Sequence, residues 1–276
     1  MSAVLYVVGT PIGNLGDLSP RAIDAFENCD FIAAEDTRVT LKLLNSFGIK
    51  KPMISYHEHN RFEMSPRIVA RLMNGESCVL VTDAGMPAIS DPGEDLVRLC
   101  ADNGVEVLSI PGCCAAVNAL AVSGLPTGRF TFEGFLTVNK KSRRERLDSL
   151  KVEERTMIFH EAPHKLRTTL EDLCAAFGPE RRVALCRELT KLHEETVRTT
   201  LGEAVTYYAG NTPKGEYVLV VAGAEPAEAP AVTLEDAVAQ VLALKEQGMR
   251  LKDAAKEVAE HTGLSKNDLY AAALEQ

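Results

Sequence analysis

The sequence predicts an α/β protein with two sheet-containing domains and a small helical module at the C-terminal end. Three observations carry this reading. Short β-rich apolar runs alternate with helical patterns from the first residues, the pattern of a parallel, helix-covered sheet. Past about residue 126 the strand-like runs come closer together, as a mixed sheet requires. Gly223–Val232 (GAEPAEAPAV) is rich in Pro, Ala and Glu and reads as a linker, with three short helical patterns beyond it.

The elements follow in order. Val4–Val8 reads as a buried strand. Ser19-Pro20 starts a helix, with Ser as its cap and Pro at its first position. Phe31–Ala34, Met53–Ser55 and Val79–Thr82 are the next strands, the last preceded by a helix around Pro66–Met73. Glu94–Asp102 is helical and stops at Gly104, and Val105–Ile110 is the fifth strand. A domain boundary is expected near Ser123–Pro126, giving domains 1–122 and 123–223, a linker at 224–232 and a helical module at 233–276. In the second domain, strands are expected at Phe130–Phe135, Thr156–His160, Val183–Arg187, Glu195–Thr200 and Tyr217–Ala222. Helices are expected near His164–Phe177 and Glu203–Ala209. The module holds helices at Leu234–Glu246, Leu251–His261 and Lys266–Leu274, the last two separated by a turn.

Composition narrows the function. The 276 residues are 46% apolar and 25% charged, ordinary for a soluble globular chain. No stretch has the roughly 18–20 apolar residues of a membrane span. The N-terminus has no basic segment before its first strand, so no signal peptide is expected. The net charge of −9 makes a charge-driven nucleic-acid reading depend on a local patch. Seven scattered cysteines, without a C-x-x-C or zinc-like spacing to histidine, read as reduced thiols in a cytoplasmic protein; no metal site is expected.

Three loops that follow strands are unusual: Gly9–Leu15, Asp83–Gly93 and Pro111–Ala116. Their tips are small enough for a ligand to approach the backbone closely. None has the glycine spacing of a dinucleotide-binding turn or a P-loop. Each alone reads as a tight turn feeding a helix; three in one sheet point to a shared pocket at the strands' C-terminal ends.

Gly9-Thr-Pro-Ile-Gly-Asn-Leu, Glu35-Asp-Thr-Arg38, Ser55-Tyr-His-Glu-His-Asn60, Asp83–Gly93 and Lys214-Gly-Glu-Tyr217 occur in this order. Together they resemble the bacterial 16S rRNA cytidine 2′-O-methyltransferases of the ribosomal RNA small-subunit methyltransferase I family. That family belongs to the tetrapyrrole methylase superfamily, the class III S-adenosylmethionine (SAM) methyltransferases. The resemblance covers about residues 4–222, and the tail is similar to the family's helix-turn-helix-like module. It implies the tetrapyrrole-methylase-like fold, with SAM folded between two α/β domains. It also implies a 16S rRNA or 30S-subunit substrate in the decoding region, and a homodimer. By position, SAM contacts are expected at Gly9, Thr10, Pro11, Ile12 and Gly13, at Ala84, Gly85, Met86 and Ile89, at Cys114 and Ala115, at Glu161 and Ala162, at Leu189 and at Gly215. The chain departs from the family in detail. Met86 stands where Thr is frequent, Cys113-Cys114 replaces a Pro-Ser pair, and His160-Glu-Ala-Pro-His164 replaces a Tyr-Glu-Ser-Pro-His type of run.

Methyl transfer from a sulfonium to a ribose hydroxyl is an in-line displacement in which positioning is the main task. A base beside the hydroxyl would add about two to four powers of ten. The polar candidates are Glu35, Asp36, Arg38, His57, Lys214 and Glu216. Asp36 would take the proton while Arg38 or Lys214 holds a phosphate. The competing reading of Glu35–Arg38 is a helix N-terminus with a local ion pair, and that of His57 and His59 is exposed loop histidines. A route in which the enzyme only orients the hydroxyl stays open.

The one dense basic run is Asn139–Arg146. Its Lys140, Lys141, Arg143, Arg144 and Arg146 read as phosphate contacts, against the plainer reading of a solvated helix start. The tail from residue 231 carries five lysines or arginines against eight carboxylates, which argues against independent groove binding. Three rival readings fit the chain less well. A small-molecule (tetrapyrrole-type) methylase on the same fold is disfavoured by the basic run and the added module. A ligand-sensing transcription regulator is disfavoured by the acidic tail. A nucleotide-processing enzyme is disfavoured by the missing P-loop.

Overall fold

The computed structural model describes residues 3–225 and 232–275, so most of the expected linker lies outside the described residues. The chain forms two compact units, Met1–Ala224 and Glu225–Gln276. In the first, strands β1 (Val4–Val8), β2 (Phe31–Ala34), β3 (Met53–Ser55), β4 (Cys78–Val81) and β5 (Glu106–Ile110) form an all-parallel sheet in the order β3-β2-β4-β1-β5. Helices α1 (Pro20–Asn28), α2 (Thr37–Ser46), α3 (Arg61–Met73) and α4 (Glu94–Asp102) connect them. Phe26, Ile32, Ala34 and Val79 lie in the core on one side of the sheet; Leu5, Phe31, Leu80 and Ile68 lie in the core on the other. This two-sided burial is why β1, β2 and β4 are continuous apolar runs rather than alternating ones. Ser19 caps α1 as its sequence suggests, accepting from the backbone N of Ala22 at 3.2 Å.

Helix α5 (Ala115–Ser123) leads into the second sheet and already packs on it: Ala116, Ala119 and Leu120 share a core with Ile158, Ala184, Val218 and Val220. The change of sheet therefore falls upstream of the Ser123–Pro126 turn. Strands β6 (Phe130–Phe135), β7 (Thr156–Glu161), β8 (Arg182–Arg187), β9 (Glu195–Thr200) and β10 (Tyr217–Val221) follow, with α6 (Lys140–Leu150), α7 (Leu166–Phe177) and α8 (Leu201–Gly210) between them. Their order is β6-β7-β10-β8-β9, and only the β6–β7 pair is parallel. This is the mixed sheet that the closer strand spacing predicts. Leu147, Leu150, Phe159, Leu170, Leu185 and Leu219 fill the core on the face opposite α5.

The second unit holds α9 (Leu234–Glu246), α10 (Leu251–Thr262) and α11 (Lys266–Leu274) around Val238, Val241, Ala255, Val258 and Leu269. Gly263 closes α10 in the left-handed conformation and Ser265 caps α11, so the expected helix–turn–helix is present. Among the described residues no helix is long and apolar enough to cross a membrane.

Candidate active site

Three adjacent strands, β4, β1 and β5, send their C-terminal loops to one end of the first sheet. That adjacency is why three loops far apart in sequence share a site. Thr10 and Gly85 exchange backbone hydrogen bonds at 2.9 and 3.1 Å, and the Thr10 hydroxyl donates to the Thr82 carbonyl at 3.3 Å. Gly9 lies so close to Gly112 that a Cβ on it would stand 2.7 Å from the Gly112 Cα. Opposite these loops stand the ends of β7 and β10 and the residues around Leu189. A cleft of about 470 Å³ separates the two sides, within the range of small-molecule sites.

Ile12, Ala84, Gly85, Met86, Ile89, Cys114, Ala115, Glu161, Ala162 and Leu189 line this cleft, as do Glu35 and Glu216. Gly9, Thr10, Pro11, Gly13 and Gly215 are not among the residues lining it. Gly9 and Thr10 tie loops together. Thr10, Pro11 and Gly13 face a neighbouring groove of about 290 Å³ that shares Thr82 and Asp83 with the cleft. Gly13 leaves room for the stem of Lys191, whose Nζ donates to Glu188 and Glu216 at 2.9 and 2.8 Å. Gly215, at φ +80°, leaves room for the Glu188 side chain, which also accepts from the Glu216 backbone N at 2.9 Å. A single clasp thus joins the 188–191 turn to the first sheet's opening loop.

The cleft is electrostatically one-sided. Glu35, Asp83, Asp91, Glu161 and Glu216 line it, and no lysine or arginine does among the described residues. The Thr82 hydroxyl donates to Glu35 at 2.5 Å, and Asp83 accepts from the Asp36 backbone N at 3.0 Å. Burial, and then the Glu35 charge, push the Asp91 carboxyl up to about 6; the same two causes raise Asp83. Burial holds the His160 imidazole towards its neutral form, with Glu216 opposing. Among the described residues, every non-glycine with positive φ sits in a loop beside the cleft: Ala88 (66°) and Ser90 (68°) on one side, Glu188 (51°) and Thr190 (68°) on the other. Left-handed backbone at such residues is costly and clusters where loops are shaped for ligands.

The other polar candidates lie elsewhere. Asp36 caps α2, accepting from the Arg38 backbone N at 2.8 Å, and Arg38 folds back on its carboxylate at 2.5 Å. The Arg38 hydrogen bonds hold that carboxyl well below the usual range, making it a weak proton acceptor. This is the helix N-terminus with a local ion pair. His57 sits in the turn before α3, its backbone N bonded to Asn60 at 2.8 Å, and Lys214 is exposed; neither lines the cleft. Sequence reasoning placed Asp83 and Asp91 in a pocket loop without giving them a role, missed Phe135, and named His160 only as a departure. Two carboxylates bracketing a loop rich in Gly and Pro were the available signal for the first two.

The basic run forms the first turns of α6, capped by Asn139. Its cations divide by helix face. Arg143, with only 12% of its side chain exposed, pairs with Asp172 at 2.6 Å and donates to the Thr169 hydroxyl at 2.8 Å. Thr169 in turn donates to the buried carboxylate of Glu161. Arg146 pairs with the buried Glu133 at 2.5 Å. Lys141 and Arg144 remain 86% exposed, with only distant partners in Glu145 and Asp148. Lys140, Arg143, Arg144, Lys151, His164 and Lys165 line a groove of about 710 Å³ between α6 and α7, together with Asp148 and Asp172. This groove and the cleft meet along one segment: Glu161–Pro163 line the cleft, and His164 and Lys165 line the groove.

Two α/β lobes with a ligand cleft between the loops of a parallel sheet and the ends of a mixed one define a methylase of the tetrapyrrole type. Residues 4–205 match the family of Tetrapyrrole (Corrin/Porphyrin) Methylases, and residues 232–276 match the RsmI C-terminal HTH domain. The uroporphyrin-III C-methyltransferase of Thermus thermophilus, solved in complex with S-adenosyl homocysteine, has the same fold. Its TM-score is 0.54 at 17% identity, over 79% of this chain and 96% of that one. The chain is 48% identical to the ribosomal RNA small subunit methyltransferase I of Synechocystis sp., over 99% of this chain and 98% of that protein. It is 44% identical to that of Escherichia coli O157:H7, over 99% and 95%. The chain belongs to the ribosomal RNA small subunit methyltransferase I family of tetrapyrrole methylases.

Proposed function

We propose that this protein transfers a methyl group from SAM to the ribose 2′-hydroxyl of a cytidine in the decoding region of 16S rRNA. The acceptor is free rRNA or the assembled 30S subunit. The observation that carries this reading is the carboxylate-lined cleft, without lysine or arginine among the described residues, beside a cationic groove, in a chain with full-length rRNA methyltransferase relatives. Those relatives and the matching C-terminal module favour rRNA over a tetrapyrrole substrate.

The residues present fit SAM. When bound, it supplies a methyl group already activated on a positively charged sulfur. Ile12, Met86, Ile89 and Leu189 offer apolar walls, and Gly85 at φ +91° keeps the loop tip open to backbone approach. The surrounding carboxylates favour a cationic centre and repel phosphate, so the RNA backbone stays outside and only the reacting ribose enters. Asp91 accepts the hydroxyl proton: its raised basicity makes it a better base at neutral pH than Asp36, while leaving it ionised. Lys140, Lys141 and Arg144 meet phosphates outside the cleft, with Lys165 across the groove. Arg143 and Arg146 hold the helix in place. The protein acts in the cytoplasm, as a homodimer.

Incubation with labelled SAM and 30S subunits, free 16S rRNA or a precorrin-type tetrapyrrole tests the reading. Label is expected in RNA, at a ribose. Label in the tetrapyrrole alone would overturn it.

A further inference from the structure

We infer that Phe132 and Phe135, both in ring contact with His160 at the edge of the second sheet, form a stacking platform for an unpaired base of the RNA substrate. The inference rests on the rRNA reading above and deepens it. A regular strand would send residues three apart to opposite faces. In β6 the register with β7 shifts between Phe132 and Gly134, and Gly134 takes φ +62°, so an extra residue enters the strand. Bulges of this kind re-aim side chains beside functional sites. Here both phenyl rings stand steeply inclined to the His160 imidazole in T-shaped contacts, with centroids 5.2 and 5.4 Å away. The bulged Glu133 is buried and held by Arg146, so the bend is fixed rather than adaptable.

Such an arrangement has no evident value within the fold. Phe135 is 62% exposed and Phe132 37% exposed, on the edge strand of a sheet, where exposed apolar groups invite aggregation. His160 Nε2 is buried without a hydrogen-bond partner, which a folded protein rarely leaves so. The surroundings select the occupant. Phe135 and His160 both line the cleft. The chain runs from Phe135 to Val138 and Lys140 at the cationic groove. An aromatic face beside a row of cations is the arrangement that binds single-stranded nucleic acid: phosphates on the cations, a base on the ring. A base stacked on Phe135 would anchor the strand at the mouth of the cleft.

The chain contains no tryptophan, so Phe135→Trp installs a unique fluorophore on the platform. The probe is a single-stranded RNA oligonucleotide carrying pyrrolocytosine, with SAM affinity measured alongside by calorimetry. Phe135→Ala is expected to weaken RNA binding by roughly 5- to 150-fold, the range measured when stacked aromatics are removed. It should abolish pyrrolocytosine quenching, and Phe132→Ala, outside the cleft lining, should weaken RNA binding with SAM affinity unchanged. Phe135→Trp should retain binding and have its indole emission quenched by the oligonucleotide. Phe132→Ala serves as a second reading of the same surface. Unchanged RNA affinity in Phe135→Ala, or an indole indifferent to RNA, overturns the platform. So does a fall in SAM affinity in Phe132→Ala equal to its loss for RNA, which would assign the aromatic pair to the methyl donor, or a change of sedimentation coefficient in Phe135→Ala, which would assign it to a second copy of the chain. If wild type methylates rRNA while any of these holds, only the platform fails. If no ribosomal RNA accepts label, the underlying reading fails.

Discussion

The cleft and the α6–α7 groove meet along the segment Glu161–Lys165, yet they carry opposite charge. The cleft gathers five carboxylates and no lysine or arginine among the described residues; the groove gathers lysines, arginines and a histidine. The difference is what a cationic methyl donor and a polyanionic acceptor demand. One uniform field would repel one of the two. The boundary is also wired. Glu161, in the cleft, accepts from Thr169, which accepts from Arg143 at 2.8 Å, on the helix that carries the exposed cations. Arg143 thus serves the acidic side structurally, although its sequence neighbours face the basic side.

The largest effect is expected at Asp91. Asp91→Asn keeps the side chain's shape and should lower the maximal methylation rate by about two to four powers of ten, with SAM affinity retained. Its stability should move the other way. The folded value is about 6 against an ordinary 3.8, so the ionised carboxylate is disfavoured in the folded state above about pH 6. Asp91→Asn should therefore melt higher than wild type near pH 8, with the advantage vanishing as pH falls towards 4. Full activity with no change in melting would remove Asp91 from the site.

Next comes the Arg143–Thr169–Glu161 chain. Thr169→Val takes the hydroxyl donor from the buried Glu161 carboxylate, and a loss of about 1–3 kcal/mol is expected in denaturant unfolding; Arg143→Ala, which frees only the partly exposed Asp172, should cost less. If Arg143→Ala unfolds like wild type and loses only RNA affinity, its place is on the RNA-facing surface instead. The smallest effect is expected at Asp36. Asn is as good a helix cap as Asp, and the Arg38 pair is exposed, so Asp36→Asn should change the rate by less than about threefold. A loss of two powers of ten would restore Asp36 as the base and break the assignment to Asp91.

The sheets were legible because burial writes itself into local sequence: β1, β2 and β4 are apolar on both faces, and Gly and Pro punctuate the ends. The packing of α5 was not: Pro111–Ala116 reads as a turn feeding a helix, but the partner that makes Ala119 and Leu120 a core face comes some 40 residues later. Ten cleft residues were legible through the resemblance. The roles of Gly9 and Gly13 were not: a glycine that admits a ligand and one that admits Gly112 or Lys191 look alike until the contact is seen. The basic run was legible as a charge count but not as a helix with two faces, because Asp172 and Glu133, the partners of Arg143 and Arg146, lie outside it. Asp91 escaped because its basicity comes from burial and from Glu35, far away in sequence.

The separation of the two fields is tested most directly by one titration series. Lys140, Lys141 and Arg144 are changed together to Ala, leaving Arg143 and Arg146 in place. RNA and SAM affinities are then measured across a range of salt concentrations. The slope of log affinity for RNA against log salt should flatten by about two units, three lost contacts at roughly 0.7 each for a single strand, while SAM affinity stays at its wild-type value. An unchanged RNA slope, or a loss of SAM affinity equal to the loss for RNA, would contradict it.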